Sequence, residues 1–302
     1  MDLKSKIILI YGPTASGKSL FAVKLAKKID GEIINADSMQ VYKEFRILSA
    51  RPSQKDYKRI KHHLYGFKNI KKNFSTGDWL KLVNQKISEV KKRKKVPILV
   101  GGTGLYFKAL IEGLVTIPNI PIKVRKEIRS LHKKIGSQKF FLKLIKIDPL
   151  AKDNINPFDT QRAIRAYEVK FFTKKSLYEW FNNTRSDYEE RDFCKIYIEY
   201  PRNELIKRIN TRTQKMIKNG IISEVKKIQK IKLIKNKTAY KAIGLNQVND
   251  YLNKKIQINE LIEKISIKTR QYAKRQMTWG RGNMKNWIRL KPNTINNFLK
   301  KI

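Results

Sequence analysis

Residues 12–19, with the sequence GPTASGKS, carry the most specific chemical signal in the chain. They match the pattern G-x-x-x-x-G-K-[ST] at every fixed position, between an apolar run at Ile7–Tyr11 and a helical pattern that begins at Lys18. In such a loop, backbone N–H groups face phosphate oxygens, the lysine supplies a mobile charge, and the following hydroxyl binds Mg²⁺. The predicted phosphate-binding residues are Gly12, Pro13, Thr14, Ala15, Ser16, Gly17, Lys18 and Ser19, with Ser19 as the magnesium ligand. A kinase, an NTPase or a transferase with a pyrophosphate leaving group could use this loop.

A second feature is the absence of a carboxylate where a P-loop NTPase usually has one. In such proteins an acid at the end of a neighbouring strand holds the magnesium. The predicted strand Val96–Val100 instead ends in the turn Gly101–Gly104. The acid lies after a different predicted strand, as Asp37, where a magnesium ligand, a base and a helix N-cap remain possible. The missing acid counts against a generic ATPase.

The order of predicted elements defines the fold. Strands alternate with helices up to about residue 115, and strand pattern returns at Phe193–Tyr200. Such alternation predicts an α/β fold with a P-loop NTPase-like parallel sheet flanked by helices. The basic, helical stretch between the two parts predicts an inserted all-helical domain, and the C-terminal third is helical and basic. The predicted division is 1–115 for the first part of the core, 116–192 for the insertion and 193–302 for the second part with the C-terminal helices.

Charge and cysteine content limit the partners and the compartment. The chain has 68 Lys and Arg against 25 Asp and Glu, a formal net charge of +43. The sign indicates a polyanionic partner, either nucleic acid or an anionic membrane surface, although AT-rich coding would account for part of the excess. The single cysteine, Cys194, excludes an intramolecular disulfide and favours a reducing cytoplasm. No apolar stretch approaches the length of a membrane span, and the N-terminal apolar run predicts a strand rather than a signal peptide.

Seven ordered motifs resemble those of one enzyme family. They are GPTASGKS (12–19), DSMQVY (37–42), HHL (62–64), VGGTGLYFKALIEG (100–113), DTQRAIRAYE (159–168), RINTRTQKMIKNG (208–220) and TRQYAKRQMTW (269–279). In these the chain resembles the bacterial tRNA dimethylallyltransferases, also called isopentenyl-tRNA transferases. The resemblance implies transfer of a dimethylallyl group from its diphosphate to the N6 amine of the adenosine at tRNA position 37, beside the anticodon. It also implies a P-loop core with an inserted helical domain, Mg²⁺ as cofactor and the anticodon stem-loop of tRNA as partner.

The chain departs from the family pattern in two places. The family usually has D-I-G-T-A-K-P where this chain has Arg46-Ile-Leu-Ser-Ala-Arg-Pro52, so Arg46 and Leu48 change the chemistry of their positions. After Gly244 the family usually continues with Tyr and a basic residue, whereas Leu245 and Asn246 follow here.

The resemblance also assigns roles to individual residues. It implies that the catalytic residues are Asp37 as the base for the amine, Thr103 as a hydroxyl near the adenine, and Arg212 as a cation for the leaving diphosphate, with Arg208 one turn earlier as an alternative. An N-cap for Asp37, a structural turn for Thr103 and a solvated charge for Arg212 are the competing interpretations. The implied tRNA-binding residues are Asp37, Ser38, Met39, Gln40, Thr103, Arg125, Gln161, Arg162, Ala163, Ile164, Arg165, Arg270, Lys274 and Arg275.

Two rival functions remain open. A small-molecule P-loop kinase explains the loop but neither the missing acid nor the basic insertion. A nonenzymatic RNA-binding protein explains the charge, but not the intact Lys18, Ser19 and Asp37. His62 and His63 are interpreted as structural or substrate-adjacent, because no acid cluster accompanies them to form a zinc site. The protein is expected to be a monomer.

Overall fold

Six parallel strands form one sheet in the computed structural model, which describes residues 3–182, 184–231 and 238–302. The sheet order is β3-β2-β4-β1-β5-β6. The strands are β1 (Ile7–Tyr11), β2 (Gly31–Asn35), β3 (His62–His63), β4 (Val96–Gly101), β5 (Phe193–Ile198) and β6 (Ile288–Leu290). Every neighbouring pair is parallel. The predicted α/β fold with a parallel sheet is therefore confirmed.

Helices connect the strands and extend beyond the last of them. They are α1 (Lys18–Ile29), α2 (Gln54–Tyr57), α3 (Thr76–Lys92), α4 (Gly104–Glu112), α5 (Ile122–Ile147), α6 (Ala151–Asn154), α7 (Thr160–Thr173), α8 (Leu177–Phe181), α9 (Arg202–Lys218), α10 (Ile221–Lys230), α11 (Leu245–Leu252), α12 (Ile258–Asn283) and α13 (Ile295–Lys300). None of the helices within the described ranges has the length and apolarity that would let it cross a bilayer.

The central strands are buried on both faces because helices cover both sides of the sheet. All residues of β1, β2 and β4 are buried. Along β1, Ile8 and Ile10 pack with α1, whereas Ile7 and Leu9 belong to the larger apolar core that includes α3. Because the strands are parallel, the loops that follow β1, β2, β4 and β5 meet at one edge of the sheet, where ligands of such folds bind.

The chain divides into two compact units. One comprises the chain up to Ile111 together with Tyr188–Ile302, and the other is Glu112–Asp187. The second unit begins four residues before the predicted start of the insertion and ends five residues before its predicted end. It holds α5 to α8 around a core of its own that includes Phe140, Leu144 and Ala166. The functional division of the chain into domains stays a prediction.

Sequence patterning located the long elements and missed the short ones. The apolar run at Ile7–Tyr11 forms strand β1, and helix α1 begins at Lys18, as predicted. Strands β3 and β6 were not predicted, because two or three residues are too few for a period-two pattern to emerge. Asn219 is the C-cap of α9, and Gly220, with φ of 93°, lies between α9 and α10. A left-handed glycine one position beyond the cap is the usual way for a helix to end.

Candidate active site

The loop after β1 has the shape of a phosphate-binding loop. Ala15 and Gly17 have positive φ values, 66° and 88°, and the N–H of Ser16 donates to the Pro13 carbonyl at 3.2 Å. Gly17 is the N-cap of α1, so the first N–H groups of that helix have no partner within it. The hydroxyl of Ser16 is buried without a hydrogen-bond partner among the described residues. The loop thus presents donors suited to an anion.

Lys18 lies in this loop in an environment that makes its ammonium group easier to deprotonate. Its Nζ donates to the Pro13 carbonyl at 3.2 Å. Burial lowers the pKa of Lys18 to about 8, Asp37 opposes that shift, and Arg212 adds to it. Since Lys18 interacts electrostatically with both Asp37 and Arg212, the three predicted groups lie close together. An anion bound beside Lys18 would favour the charged form and so raise this pKa.

Helix α9 carries two arginines to the phosphate loop. The Nη1 of Arg212 donates to the Thr14 hydroxyl at 2.9 Å. Burial lowers the pKa of Arg212, and Asp37 opposes the shift. Arg208 is already engaged, since its Nε donates to the Ala15 carbonyl at 2.7 Å and its guanidinium stacks over the Tyr200 ring. Arg212 is therefore the arginine placed between the loop and Asp37, and Arg208 holds the loop itself.

Asp37 begins a tight turn that follows β2. Its Oδ1 accepts hydrogen bonds from the N–H groups of Met39 and Gln40, at 2.9 Å and 3.4 Å. The carboxylate thus acts as a local cap, which was one competing interpretation. Its Oδ2 accepts no hydrogen bond from the described residues. One oxygen fixes the turn, and the other is left to act on a ligand.

Thr103 connects the turn after β4 to the turn that begins at Asp37. Its Oγ1 accepts from the Ser38 N–H at 3.0 Å and contacts the Ser38 hydroxyl at 3.3 Å. It therefore supports the Asp37 turn directly. The glycine before this threonine is required by close packing, since a Cβ on Gly102 would lie 2.0 Å from the Nε2 of Gln276. Close packing thus accounts for Gly102, whereas the Thr103 hydroxyl contacts Ser38, the residue after Asp37.

Gln276 is a site residue that the sequence analysis missed. It is 4% exposed, although glutamine is seldom buried. Its Oε1 accepts from the Thr14 N–H at 2.8 Å, and its Nε2 donates to the Gly102 carbonyl at 2.8 Å. One side chain of α12 therefore joins the phosphate loop to the turn after β4. Only its place within the motif TRQYAKRQMTW could have indicated it.

A cavity of about 270 Å³ opens beside these groups. Its polar lining includes Thr14, Asp37 and Arg212. Its aliphatic lining comprises Leu48, Ile209, Met216, Ala242, Ile243 and Ile265. Tyr272 lies in the same lining; its phenol is buried, which raises the pKa of Tyr272, and Asp37 raises it further. Phosphate-binding groups and an aliphatic wall thus meet in one cavity.

The remaining residues predicted to contact tRNA from the first unit lie at or near this cavity. Ser38, Met39 and Arg275 line it. Gln40 lies further along the turn, where its Nε2 donates to the Ser49 carbonyl at 3.2 Å. On α12, Lys274 and Arg275 are exposed and Arg270 is half-buried. The Arg275 guanidinium also lies over the Tyr272 ring, 5.8 Å from its centroid.

In the second unit the predicted tRNA-binding residues separate into three groups. Gln161 and Arg162 are exposed at the start of α7, and the Arg162 side chain is 67% exposed. Arg165 is paired with the buried Glu168 at 3.7 Å, and the Arg125 Nε is buried without a hydrogen-bond partner among the described residues.

The third group comprises the two apolar residues of this motif. Ala163 is 2% exposed and lies in the core of the second unit, and Ile164 packs against that core. The Ala163 side chain is thus enclosed by the unit, whereas the Ile164 side chain is half-buried, and their contact with tRNA stays a prediction.

The two neighbouring histidines have structural partners. His63 pairs through Nε2 with the buried Glu32 at 2.6 Å, and Arg93 pairs with the same carboxylate at 2.7 Å. The ring of His62 stacks on Tyr57 at 3.8 Å. Among the residues in the described ranges, no group of three or more His, Cys, Asp and Glu side chains could hold a metal ion.

Comparisons with known proteins agree with this geometry. The family model described as IPP transferase matches residues 40–283. The tRNA dimethylallyltransferase of Pelagibacter ubique is 55% identical over 302 residues, which cover all of this chain and 96% of that relative. The crystal structure of the full-length tRNA isopentenylpyrophosphate transferase of Bacillus halodurans superposes with a TM-score of 0.71 at 32% identity, covering 98% of this chain and 95% of that one. A eukaryotic dimethylallyltransferase acting on tRNA gives a TM-score of 0.83 at 27% identity, covering 95% of this chain and 74% of that one. The chain belongs to the IPP transferase family.

Proposed function

We propose that the protein transfers a dimethylallyl group from dimethylallyl diphosphate to the N6 amine of the adenosine at tRNA position 37, with release of diphosphate. The observation that carries the proposal is the cavity in which Thr14, Asp37 and Arg212 face the same space as an aliphatic wall. A short isoprenoid diphosphate combines the two chemistries of that lining, a polyanion and a small apolar group. The high identity to a tRNA dimethylallyltransferase over the whole chain supports the same activity.

The leaving group is the part of the reaction that the phosphate loop serves. As the C1–O bond of the donor breaks, negative charge develops on the diphosphate, and fixed positive groups stabilise it. The N–H groups that open α1, the Lys18 ammonium and the Arg212 guanidinium are the groups we assign to it. The Thr14 N–H is already bonded to Gln276, so the loop offers its later amides to the phosphates.

Magnesium fits this donor set as an ion shared with the substrate. Mg²⁺ commonly keeps several waters and binds through few protein groups plus substrate phosphates. The Ser19 hydroxyl, at the start of α1, is the protein ligand that we assign to it. The ion would add positive charge at the leaving diphosphate.

The nucleophile needs help because the lone pair of an adenine amine is delocalised into the ring. We assign the Oδ2 of Asp37 to accept the proton as the new C1–N6 bond forms. The Oδ1 hydrogen bonds to Met39 and Gln40 and the support of Ser38 by Thr103 hold that carboxylate in place. In this assignment Thr103 acts next to Asp37 and serves the adenine side of the cavity.

A base in a tRNA loop must leave its stack to be modified, so the protein needs surfaces for phosphate and for bases. The exposed Lys and Arg side chains on α12 and at the start of α7 supply the surface for phosphate. Phe158, which is 90% exposed and lies shortly before Gln161 and Arg162 in the sequence, supplies a surface for a base in the second unit. Aromatic side chains with basic neighbours are the usual platform for unstacked bases.

Two further assignments belong to this proposal. A reducing cytoplasm suits a tRNA-modifying enzyme whose one cysteine is buried and unpaired. We assign a monomer as the working form.

The proposal is tested by comparing ligands and products. Thermal-shift titration with dimethylallyl diphosphate and Mg²⁺ is expected to stabilise the protein at lower concentration than ATP and Mg²⁺. Incubation of the protein with unmodified tRNA and radiolabelled donor is expected to transfer the label to tRNA. Hydrolysis of ATP that is stimulated by tRNA, without transfer of label, would favour the kinase or NTPase alternative.

A further inference from the structure

Glu224, on α10, binds the backbone of a segment that forms part of the cavity wall. Its Oε2 accepts hydrogen bonds from the Arg46 N–H at 3.1 Å and from the Ile47 N–H at 2.8 Å. Its Oε1 accepts from the Leu48 N–H at 2.8 Å. Hydrogen bonds to a charged acceptor are stronger than those between neutral groups. Both carboxylate oxygens are therefore engaged by three successive N–H groups.

The shape of this segment explains why its N–H groups need an outside acceptor. The Arg51 N–H donates to the Arg46 carbonyl at 3.0 Å, and the Ala50 N–H donates to the Ile47 carbonyl at 2.9 Å. With a φ of 45° at Ala50, these bonds form the Schellman motif that ends a helical turn. The first N–H groups of such a turn have no partner within it. Without the carboxylate they would be left unsatisfied, which costs free energy wherever water does not replace it.

The anchored segment reaches the cavity through Leu48 and Ser49. Both residues line the cavity, and the Leu48 side chain, which is 6% exposed, belongs to its aliphatic part. The Ser49 carbonyl accepts from the Nε2 of Gln40 at 3.2 Å, so the segment is held from a second side. Because Glu224 binds only backbone N–H groups, its bonds do not require a particular side chain at positions 46 and 48. The anchor is therefore compatible with the departures from the family pattern at those two positions.

We propose that Glu224 is a positioning residue for the prenyl group of the donor and acts through the backbone of residues 46–48. This inference rests on the proposed function and adds to it the element that holds the aliphatic wall. A fixed backbone keeps the wall at a fixed distance from the prenyl chain inside the cavity of about 270 Å³. The diphosphate is assigned to the phosphate loop and Arg212, which Glu224 does not hold. Glu224 is therefore expected to support binding of the prenyl group and not of the diphosphate.

The test separates these two parts of the donor. Dissociation constants for dimethylallyl diphosphate and for inorganic diphosphate, each with Mg²⁺, are measured by isothermal titration in wild type, Glu224→Gln and Glu224→Asp. In Glu224→Gln the amide NH2 faces at least one of the three N–H groups in either orientation, because both oxygens are acceptors in the wild type. Glu224→Asp retains the charge on a shorter side chain.

The two ligands are expected to respond differently. For dimethylallyl diphosphate, the dissociation constant is expected to rise by about tenfold in Glu224→Gln, the loss that a misfit of one methylene causes in a hydrophobic pocket. A smaller rise is expected in Glu224→Asp. For inorganic diphosphate, which has no prenyl group, the constant is expected to stay within about twofold of wild type, since its site is separate from the anchor.

Steady-state kinetics give a second readout. The wall contacts the prenyl group both before and during bond breaking, so its displacement removes binding that substrate and transition state share. With saturating tRNA, the KM for dimethylallyl diphosphate is expected to rise in Glu224→Gln while kcat changes by less than about threefold. A smaller fraction of folded protein would instead lower the apparent kcat and leave KM unchanged, which would contradict a positioning role.

The matched control is Asp78→Asn. In the first turn of α3, Asp78 also accepts a backbone N–H, from Ser75 at 2.8 Å, and the described lining of the cavity includes no residue of α3. This variant is expected to lower the midpoint of thermal unfolding and to leave both dissociation constants within about twofold of wild type.

Three outcomes decide the inference. Equal rises for the two ligands in Glu224→Gln, or an unchanged constant for dimethylallyl diphosphate in both Glu224 variants, would overturn it while leaving dimethylallyl transfer intact. If Glu224→Gln does not fold, Glu224→Asp carries the same comparison. A wild type that binds inorganic diphosphate but neither binds nor uses dimethylallyl diphosphate would instead overturn the proposed function.

Discussion

Gln276 and Thr14 tie the last long helix to the phosphate loop: the Gln276 Oε1 accepts the Thr14 N–H at 2.8 Å, while its Nε2 donates to the Gly102 carbonyl at 2.8 Å. The Tyr11 hydroxyl donates to the Gln276 carbonyl at 2.7 Å, so β1 is joined to the same residue. The loop conformation that binds phosphate therefore depends on a residue more than 250 positions away in sequence.

Removing this connection is expected to weaken donor binding. Gln276→Leu loses two buried hydrogen bonds, each worth about 0.5–1.5 kcal/mol, and leaves their partners unsatisfied. We predict a rise in the dissociation constant of the donor of about tenfold or more and a lower midpoint of thermal unfolding. Isothermal titration with dimethylallyl diphosphate measures the first effect. Gln271→Leu, on the exposed face of the same helix, is the control, and an equal effect in both variants would contradict the role of Gln276.

The pH dependence of donor use is expected to report on Lys18. Its pKa is lowered to about 8, so the ammonium is charged below that pH and loses its charge as the pH rises through it. We predict that kcat/KM for the donor falls above about pH 8, since that parameter follows the free enzyme. In Lys18→Arg the fall is expected to move to higher pH. A profile that is identical in the two proteins would assign the titration to another group.

Asp37 is expected to act through the oxygen that does not cap the turn. Asp37→Asn retains an Oδ1 acceptor for the Met39 N–H but removes the base. We predict that turnover falls by about 10²–10⁴-fold while the affinity for tRNA changes by less than a few-fold. Single-turnover transfer and tRNA binding are measured separately. If Asp37→Asn keeps more than about a tenth of the turnover and Asp37→Ala does not, the carboxylate serves only as a cap.

The two arginines of α7 are expected to differ. Arg162, with a side chain that is 67% exposed, pairs with the 36% exposed Asp159 side chain, whereas Arg165 pairs with a carboxylate that is 3% exposed. We predict that Arg162→Ala reduces the slope of log affinity for tRNA against log salt concentration by about 0.7–0.9, the value of one phosphate contact. Arg165→Ala is expected to lower the stability of the protein with a smaller change in slope. A larger change in slope for Arg165→Ala than for Arg162→Ala would show that Arg162 only faces solvent.

Phe158 is expected to contribute to tRNA binding by stacking on a base, without an electrostatic contribution. Phe158→Ala removes a stacking surface worth about 1–3 kcal/mol per base, so the affinity for tRNA falls by about 5- to 150-fold. Its salt slope stays equal to that of wild type because stacking releases no counterions. Phe158→Trp is the matched variant that retains the ring. A slope that changes with Phe158→Ala, or an unchanged affinity, would remove Phe158 from the tRNA surface.

The parts of the structure that the sequence predicted are those with local signals. The phosphate loop at Gly12–Ser19 was predicted from the fixed spacing of its residues. The strands of the sheet were predicted from continuous apolar runs. The roles of Gln276 and Glu224 depend on which elements meet in space. No local pattern marks Gln276 as a buried glutamine in a basic helix. None marks Glu224, on α10, as the acceptor of hydrogen bonds from the three N–H groups of residues 46–48.

Ala163 and Arg208 show the same limit within recognised motifs. A motif identifies residues that occur together, but it does not say which face of the helix each one occupies. Ala163 lies between exposed Arg162 and half-buried Arg165 because consecutive helical residues point about 100° apart. Arg208 and Arg212 share a helix face, yet only Arg212 reaches the Thr14 side chain, because Arg208 is held by the Ala15 carbonyl and Tyr200.

Nucleoside mass spectrometry tests the central claim most directly. Unmodified tRNA is incubated with the protein, dimethylallyl diphosphate and Mg²⁺, and then digested to nucleosides, with Lys18→Ala and a reaction lacking donor run in parallel. We predict a prenylated adenosine, mapped to position 37, that forms with wild-type protein and is strongly reduced with Lys18→Ala. The absence of any prenylated nucleoside with folded wild-type protein, or normal transfer by Lys18→Ala, would contradict the assignment of the phosphate loop to an isoprenoid diphosphate.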